Sequence, residues 1–221
     1  MESVARGGTR WKRFAIVMVP SVAATAAIGV GLAQGALAAS FAVSGQEFKV
    51  SAGSLDGKGF AQYGGVVEGY VEVDGDKKVK RPVMISTFKS ATIEDMCQSV
   101  VMPVPLLGTF TLRLEAGQGD SSVSADNLYL DISELKADVT RFDNIDIGIA
   151  ARHTDERDNS GKGPVVKDTD MPNGFAQQAD EAYLTNVKQK TFSTTAGTFR
   201  LGGLDMRLKK GSGKGVECFT D

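Results

Sequence analysis

The chain has 221 residues, with 25 Lys and Arg against 27 Asp and Glu, a formal charge of −2. That balance gives no electrostatic case for nucleic-acid binding, which needs a basic surface. One histidine and two widely spaced cysteines supply no set of zinc ligands.

Arg6, Arg10, Lys12 and Arg13 precede an uncharged stretch, Phe14 to Ala39, that contains Ala36-Leu37-Ala38. A basic start, an apolar middle and a small-residue exit make a secretory signal over residues 1–38. The alternative is a retained membrane anchor, because the 20 residues Phe14–Ala33 are long enough to span a bilayer as a helix. Pro20, the glycines and the alanines weigh towards cleavage. Either reading exports residues 39–221, as a secreted or cell-envelope domain. Without residues 1–38, which hold four basic and one acidic residue, 21 cations face 26 anions, a charge of −5.

Gly59-Phe60-Ala61-Gln62 is the first marked element. A hairpin comes after it: Val71 and Val73 alternate with polar neighbours, Asp74-Gly75-Asp76 supplies the turn, and Val83 and Ile85 resume the alternation. Pro82 suits an edge position. Next come "ATIEDMCQ", Ala91–Gln98, and the strongly apolar "SVVMPVPLLG", Ser99–Gly108. Pro103 and Pro105 make the latter an edge or an apolar loop. Its residues Met102, Val104, Leu106 and Leu107 then form either a lip that touches lipid, ligand or partner, or a plug over one end of the core.

Strand alternation dominates the chain from Gly108 onwards. Phe110, Leu112 and Leu114 alternate with polar residues, as do Leu128, Leu130 and Ile132, then Ile145, Ile147 and Ile149. The polar run Arg152–Gly174 reads as a long mobile loop. It holds His153, in surroundings too solvated to fix a general base. It also holds Asp168, Asp170 and Asn173, whose spacing misses a calcium loop and suits a turn. "FAQQADEAYLTNVKQ" from Phe175 has an Ala spacing that also suits a helix, and Leu204, Met206 and Leu208 alternate again. "KKGSGKG" from Lys209 lacks the Ser or Thr a phosphate loop needs and reads as a flexible connector to Cys218.

Three matches recur in the same order. Gly-Phe-Ala-Gln returns at Gly174–Gln177, Ala91–Gln98 is echoed by "AYLTNVKQ" at Ala182–Gln189, and Gly-Thr-Phe occurs at Gly108 and Gly197. They indicate an internal duplication, with copies at about 59–116 and 174–210. The fold class is mainly β: one antiparallel domain, whether sandwich, open barrel or short solenoid. In an oxidising compartment Cys97 and Cys218 pair as a disulfide, the alternative being two separate buried thiols.

The leader "RGGTRWKRFAIVMVPSVAATAAIGVGLAQGALAASFAVSG", with "FKSATIEDMCQS", "FDNIDIGIAA", "GFAQQAD" and "TTAGTF", resembles a family of uncharacterised exported proteins of filamentous actinomycetes. It is a domain of unknown function whose members often carry the label "cholesterol esterase". The resemblance implies a cell-envelope or secreted role and no established activity, cofactor or catalytic residue. The residues speak against the label, since the G-x-S-x-G nucleophile elbow is missing. The reading preferred is a non-enzymatic β-rich protein that binds an apolar ligand or a membrane partner. A lipid or sterol ester hydrolase and a structural protein pairing through edge strands are the alternatives, and oligomeric state stays open.

Overall fold

The computed structural model describes residues 46–71, 77–104, 106–155, 161–166 and 171–220. Ten strands make up almost all of it: β1 Phe48–Val71, β2 Lys77–Glu94, β3 Met96–Val104, β4 Gly108–Ala116, β5 Val123–Lys136, β6 Val139–Asp143, β7 Asp146–Ala150, β8 Phe175–Thr195, β9 Thr198–Leu201 and β10 Asp205–Lys210. All the strand pairings are antiparallel.

Four strands close on themselves, since β1 pairs β2, β2 pairs β5, β5 pairs β8 and β8 returns to β1. Each uses both edges. Ala61 of β1 lies opposite Thr87 on one side and Gln178 on the other, and Leu130 of β5 opposite Ser86 and Thr194. Closure satisfies strand edges that an open sheet leaves bare. Of the architectures open from the sequence, the barrel forms, and it is closed. The stretch from Phe175 is strand, not helix. Its regularly spaced Ala176, Ala179 and Ala182 are buried, small enough to pack where strands cross the barrel.

Leu55, Phe88, Ile93, Leu130, Leu184 and Val187 form the larger core cluster inside the barrel, and the strands are not strictly alternating there, since the left-handed Asn186 lies between Leu184 and Val187. A second cluster, around Tyr63, Ile85, Tyr129 and Ala176, lies on the outer face at one end. The loop expected to be mobile covers that cluster in its described parts. Pro164 is fully buried, and Tyr129 Oη donates to the Val165 carbonyl at 2.7 Å. Glycine permits this approach: a Cβ on Gly163 would lie 2.5 Å from that of Ala61.

The two Ala-x-(Ile/Leu)-x-(Asp/Asn) stretches flank β1 in one register. Gly57 lies between Ala91 and Ala182, Leu55 between Ile93 and Leu184, and Val50 between Gln98 and Gln189. Asp95 and Asn186 occupy the left-handed region at φ 50° and 49°, a conformation that Asp and Asn tolerate best. Each precedes a buried residue, Met96 or Val187. The other matches differ in space. The Gly-Phe-Ala-Gln stretches run in opposite directions on the paired strands β1 and β8, Gln62 opposite Gln177. Gly108-Thr109-Phe110 begins β4, which pairs β3 and β10, whereas Thr198 and Phe199 lie in β9, which pairs β5.

Beyond Asp95 the chain leaves the barrel as an arm of β3, β4 and β10. A disulfide joins Cys97 of β3 to Cys218, with Cα atoms 5.7 Å apart, and ties the C-terminal tail to this arm.

Candidate functional site

The barrel interior is not filled. A cavity of about 450 Å³ lies between β1, β2, β5, β6 and β8. Leu55, Phe60, Phe88, Leu130, Ile132 and Leu184 form most of its apolar wall. Phe60 sets the shape of one side, its ring centre 5.4 Å from Phe88 and 5.1 Å from Phe142. Leu135 and Lys136 at the end of β5, Ala137 in the β5–β6 turn and Thr140 on β6 form the mouth; Leu135, Lys136 and Thr140 are exposed. The volume falls in the range of about 300–1,000 Å³ common for small-molecule sites.

A polar row crosses the apolar wall. Gln177 Nε2 donates to Gln62 Oε1 at 2.7 Å, and Gln62 Nε2 donates to Ser86 Oγ at 2.7 Å. The register makes this row, setting Gln177, Gln62 and Ser86 side by side on β8, β1 and β2. Its two ends are the amide oxygen of Gln177 and the hydroxyl hydrogen of Ser86. These supply one acceptor and one donor, as a polar group on an otherwise apolar ligand requires.

Charge is confined to the rim. Among the described residues, Lys136 is the one ionisable residue of the lining. Beside it, hydrogen bonds from Lys136 and Lys190 hold the Glu134 carboxyl below its ordinary range. Such an interior can bind and orient a ligand, and among the described residues its lining holds no carboxylate and no histidine.

The residues singled out in the sequence lie elsewhere. Met102 and Val104 are on β3, and Leu106 and Leu107 form the exposed tip of the β3–β4 hairpin. The tip turns through Leu106 at φ 66° and closes with Leu107 N–H on the Val104 carbonyl. It plugs neither end of the core. His153 sits in the single turn of 3-10 helix at Ala151–Thr154, accepts a hydrogen bond from Arg152 Nε at 3.0 Å, and lines no part of the cavity. Of the Lys209–Gly215 connector, Lys209 and Lys210 end β10 and the rest turns back, with Lys209 Nζ donating to the Gly215 carbonyl and Gly213 N–H to Glu217. Asp168, Asp170 and the leader at residues 1–38 lie outside the described residues, whereas Asn173 is an exposed turn residue. Among the described residues no helix is long and apolar enough to cross a membrane.

Sequence reasoning missed Gln62, Ser86 and Gln177 as a unit. The one signal for them was the repeated Gly-Phe-Ala-Gln itself, which places a polar side chain one residue beyond a buried alanine in both strands.

A family model described as "Family of unknown function (DUF6230)" matches residues 44–219. No curated protein and no solved structure matches the chain.

Proposed function

The chain belongs to the DUF6230 family, whose function is unknown, and from that premise we propose that it is an exported binding protein holding one apolar ligand inside its barrel. The observation that carries this reading is the 450 Å³ cavity, walled by aliphatic and aromatic side chains and crossed by the Gln177–Gln62–Ser86 row. An amphiphile with one short chain and a small polar head fits that division: the chain lies against Leu55, Leu130 and Leu184, the head against the row. Export is supported by the leader pattern of residues 1–38 and by the Cys97–Cys218 disulfide, a bond that persists in oxidising compartments.

Fluorescence titration with dansyl-labelled undecanoic acid tests the reading. The wild-type chain binds it saturably, one per chain. Ala137→Trp, at a half-buried position of the mouth beside the core, weakens binding by about tenfold or more with the circular-dichroism spectrum of wild type retained. Equal affinity in that variant, or no saturable binding to the wild type, refutes the reading.

A further inference from the structure

The arm of β3, β4 and β10 has its faces reversed relative to a sheet lying in water. Its polar face is the covered one. Thr111 Oγ1 donates to the Gly211 carbonyl at 2.7 Å, Arg113 to the Glu217 carbonyl at 2.9 Å, and Cys218 N–H to Ser99 Oγ at 3.1 Å, beneath a tail fixed by the disulfide. Its opposite face is apolar. The register sets Val100, Leu112 and Leu208 in one row and Met102 beside Phe110, while Leu114, beside Met206, packs against the barrel core. Met206 and Leu208 are 55% and 62% exposed. A contiguous exposed apolar face of this kind marks an interaction surface.

Two further features specify the partner. The first is charge. Lys210, opposite Phe110, and Lys214 are exposed near the hairpin tip, where Gly211 N–H bonds the Thr109 carbonyl. The acids of the arm strands lie at its far end and are paired, Glu115 with Arg113 and Asp205 with Arg207, while Glu217 of the covering tail pairs with Lys49 and accepts from Gly213 N–H. The tip itself presents Leu106 and Leu107, both exposed. Leucines rimmed by lysines suit the boundary between headgroups and acyl chains of an anionic bilayer. The second feature is position. β3 runs antiparallel to β1 with Ser99 opposite Lys49, so the tip lies beyond the start of β1. In the retained-anchor reading, the uncharged stretch Phe14–Ala33, outside the described residues, precedes the domain at that end.

We propose that the apolar face of this arm docks on an anionic phospholipid bilayer, with Leu106 and Leu107 entering the acyl boundary and Lys210 and Lys214 at the phosphates. This surface lies apart from the barrel cavity, and its docking does not depend on what the cavity holds.

Tryptophan quenching by lipids brominated in their acyl chains tests it, in the full chain with Trp11→Phe removing the one native tryptophan. Vesicles contain phosphatidylcholine with phosphatidylglycerol. Leu107→Trp and, as a second site, Leu208→Trp each lose about half of their emission to the brominated lipid. Thr92→Trp, at an exposed position on β2, keeps its emission. All three variants carry the same N-terminal segment, so tethering by that segment affects them alike. Quenching at 107 and 208 no greater than at 92 overturns the proposal. So does concentration-dependent shielding of 107 and 208 without vesicles, which assigns the face to a second copy of the chain. Equal quenching in vesicles of phosphatidylcholine alone overturns its electrostatic half.

Discussion

Gln177 donates its side-chain amide to Gln62 inside the barrel at 2.7 Å, and the two are the last residues of the two Gly-Phe-Ala-Gln stretches. The pair faces itself across β1 and β8, so the barrel seam and the polar row of the cavity are one feature.

Gln62→Leu leaves Gln177 and Ser86 without their shared partner in a half-buried site. The expected cost is about 1–3 kcal/mol, that of stranding polar groups. Replacing both glutamines with leucine costs less than the sum of the single changes, because neither glutamine amide is then stranded by loss of the other and only Ser86 is left without its partner. Urea unfolding of the four-member mutant cycle checks this, and strict additivity contradicts it.

Gly57 is the bare point on which Phe88 rests: a Cβ there would lie 2.2 Å from the ring. Gly57→Val therefore displaces Phe88 from the cavity wall and costs about 1–3 kcal/mol by overpacking. Shortening the opposing side chain with Phe88→Leu recovers part of that loss. Thermal unfolding of both variants checks the pair, and an unchanged Tm in Gly57→Val contradicts the packing.

Asp146 binds the described end of the long loop to the barrel. Gln178 Nε2 donates to it at 3.1 Å and Lys162 Nζ lies 3.2 Å away. The hydrogen bond from Gln178, then that from Lys162, holds its carboxyl below the ordinary 3.8. A carboxyl lowered by folding stabilises the fold above its unfolded value, and that contribution fades as pH falls through the lower folded value. Asp146→Asn is thus less stable than wild type at about pH 6, and the gap closes below the ordinary 3.8. Melting curves across that range decide it; a gap independent of pH assigns the effect to shape alone.

Cys97 and Cys218 close a loop of sequence separation 121, worth about 4–5 kcal/mol on the chain-entropy account. Reduction should first release the tail over Ser99, Thr111 and Arg113. Trypsin then cuts at Lys214 faster than within the barrel strands. Unchanged protection of Lys214 after reduction contradicts a tail held by the bridge.

Much of the strand content was legible from alternation, as at Leu128–Ile132, because a side-chain period of two needs no partner strand to be read. Closure was not. It depends on β1 meeting β8, with Gln62 opposite Gln177, and local alternation does not encode which distant strands pair. The apolar character of Ser99–Gly108 was plain, but its exposure comes from a register with β4 and β10 that sets Val100, Leu112 and Leu208 on one face. The polar row is hidden for a related reason: in the sequence Gln62 and Gln177 stand out only as the ends of a repeated motif, and their pairing is a property of the β1–β8 register. Polarity misled at Arg152–Gly174, where Pro164 is buried and only part of the run is solvated.

Methyl NMR of the wild-type chain with added undecanoic acid tests the central claim most directly. The account predicts saturable shifts concentrated on Leu55, Leu130, Ile132 and Leu184, the methyl-bearing wall of the cavity, with Leu107 and Leu208 unmoved. Shifts confined to the arm, or absent from the barrel interior, contradict it.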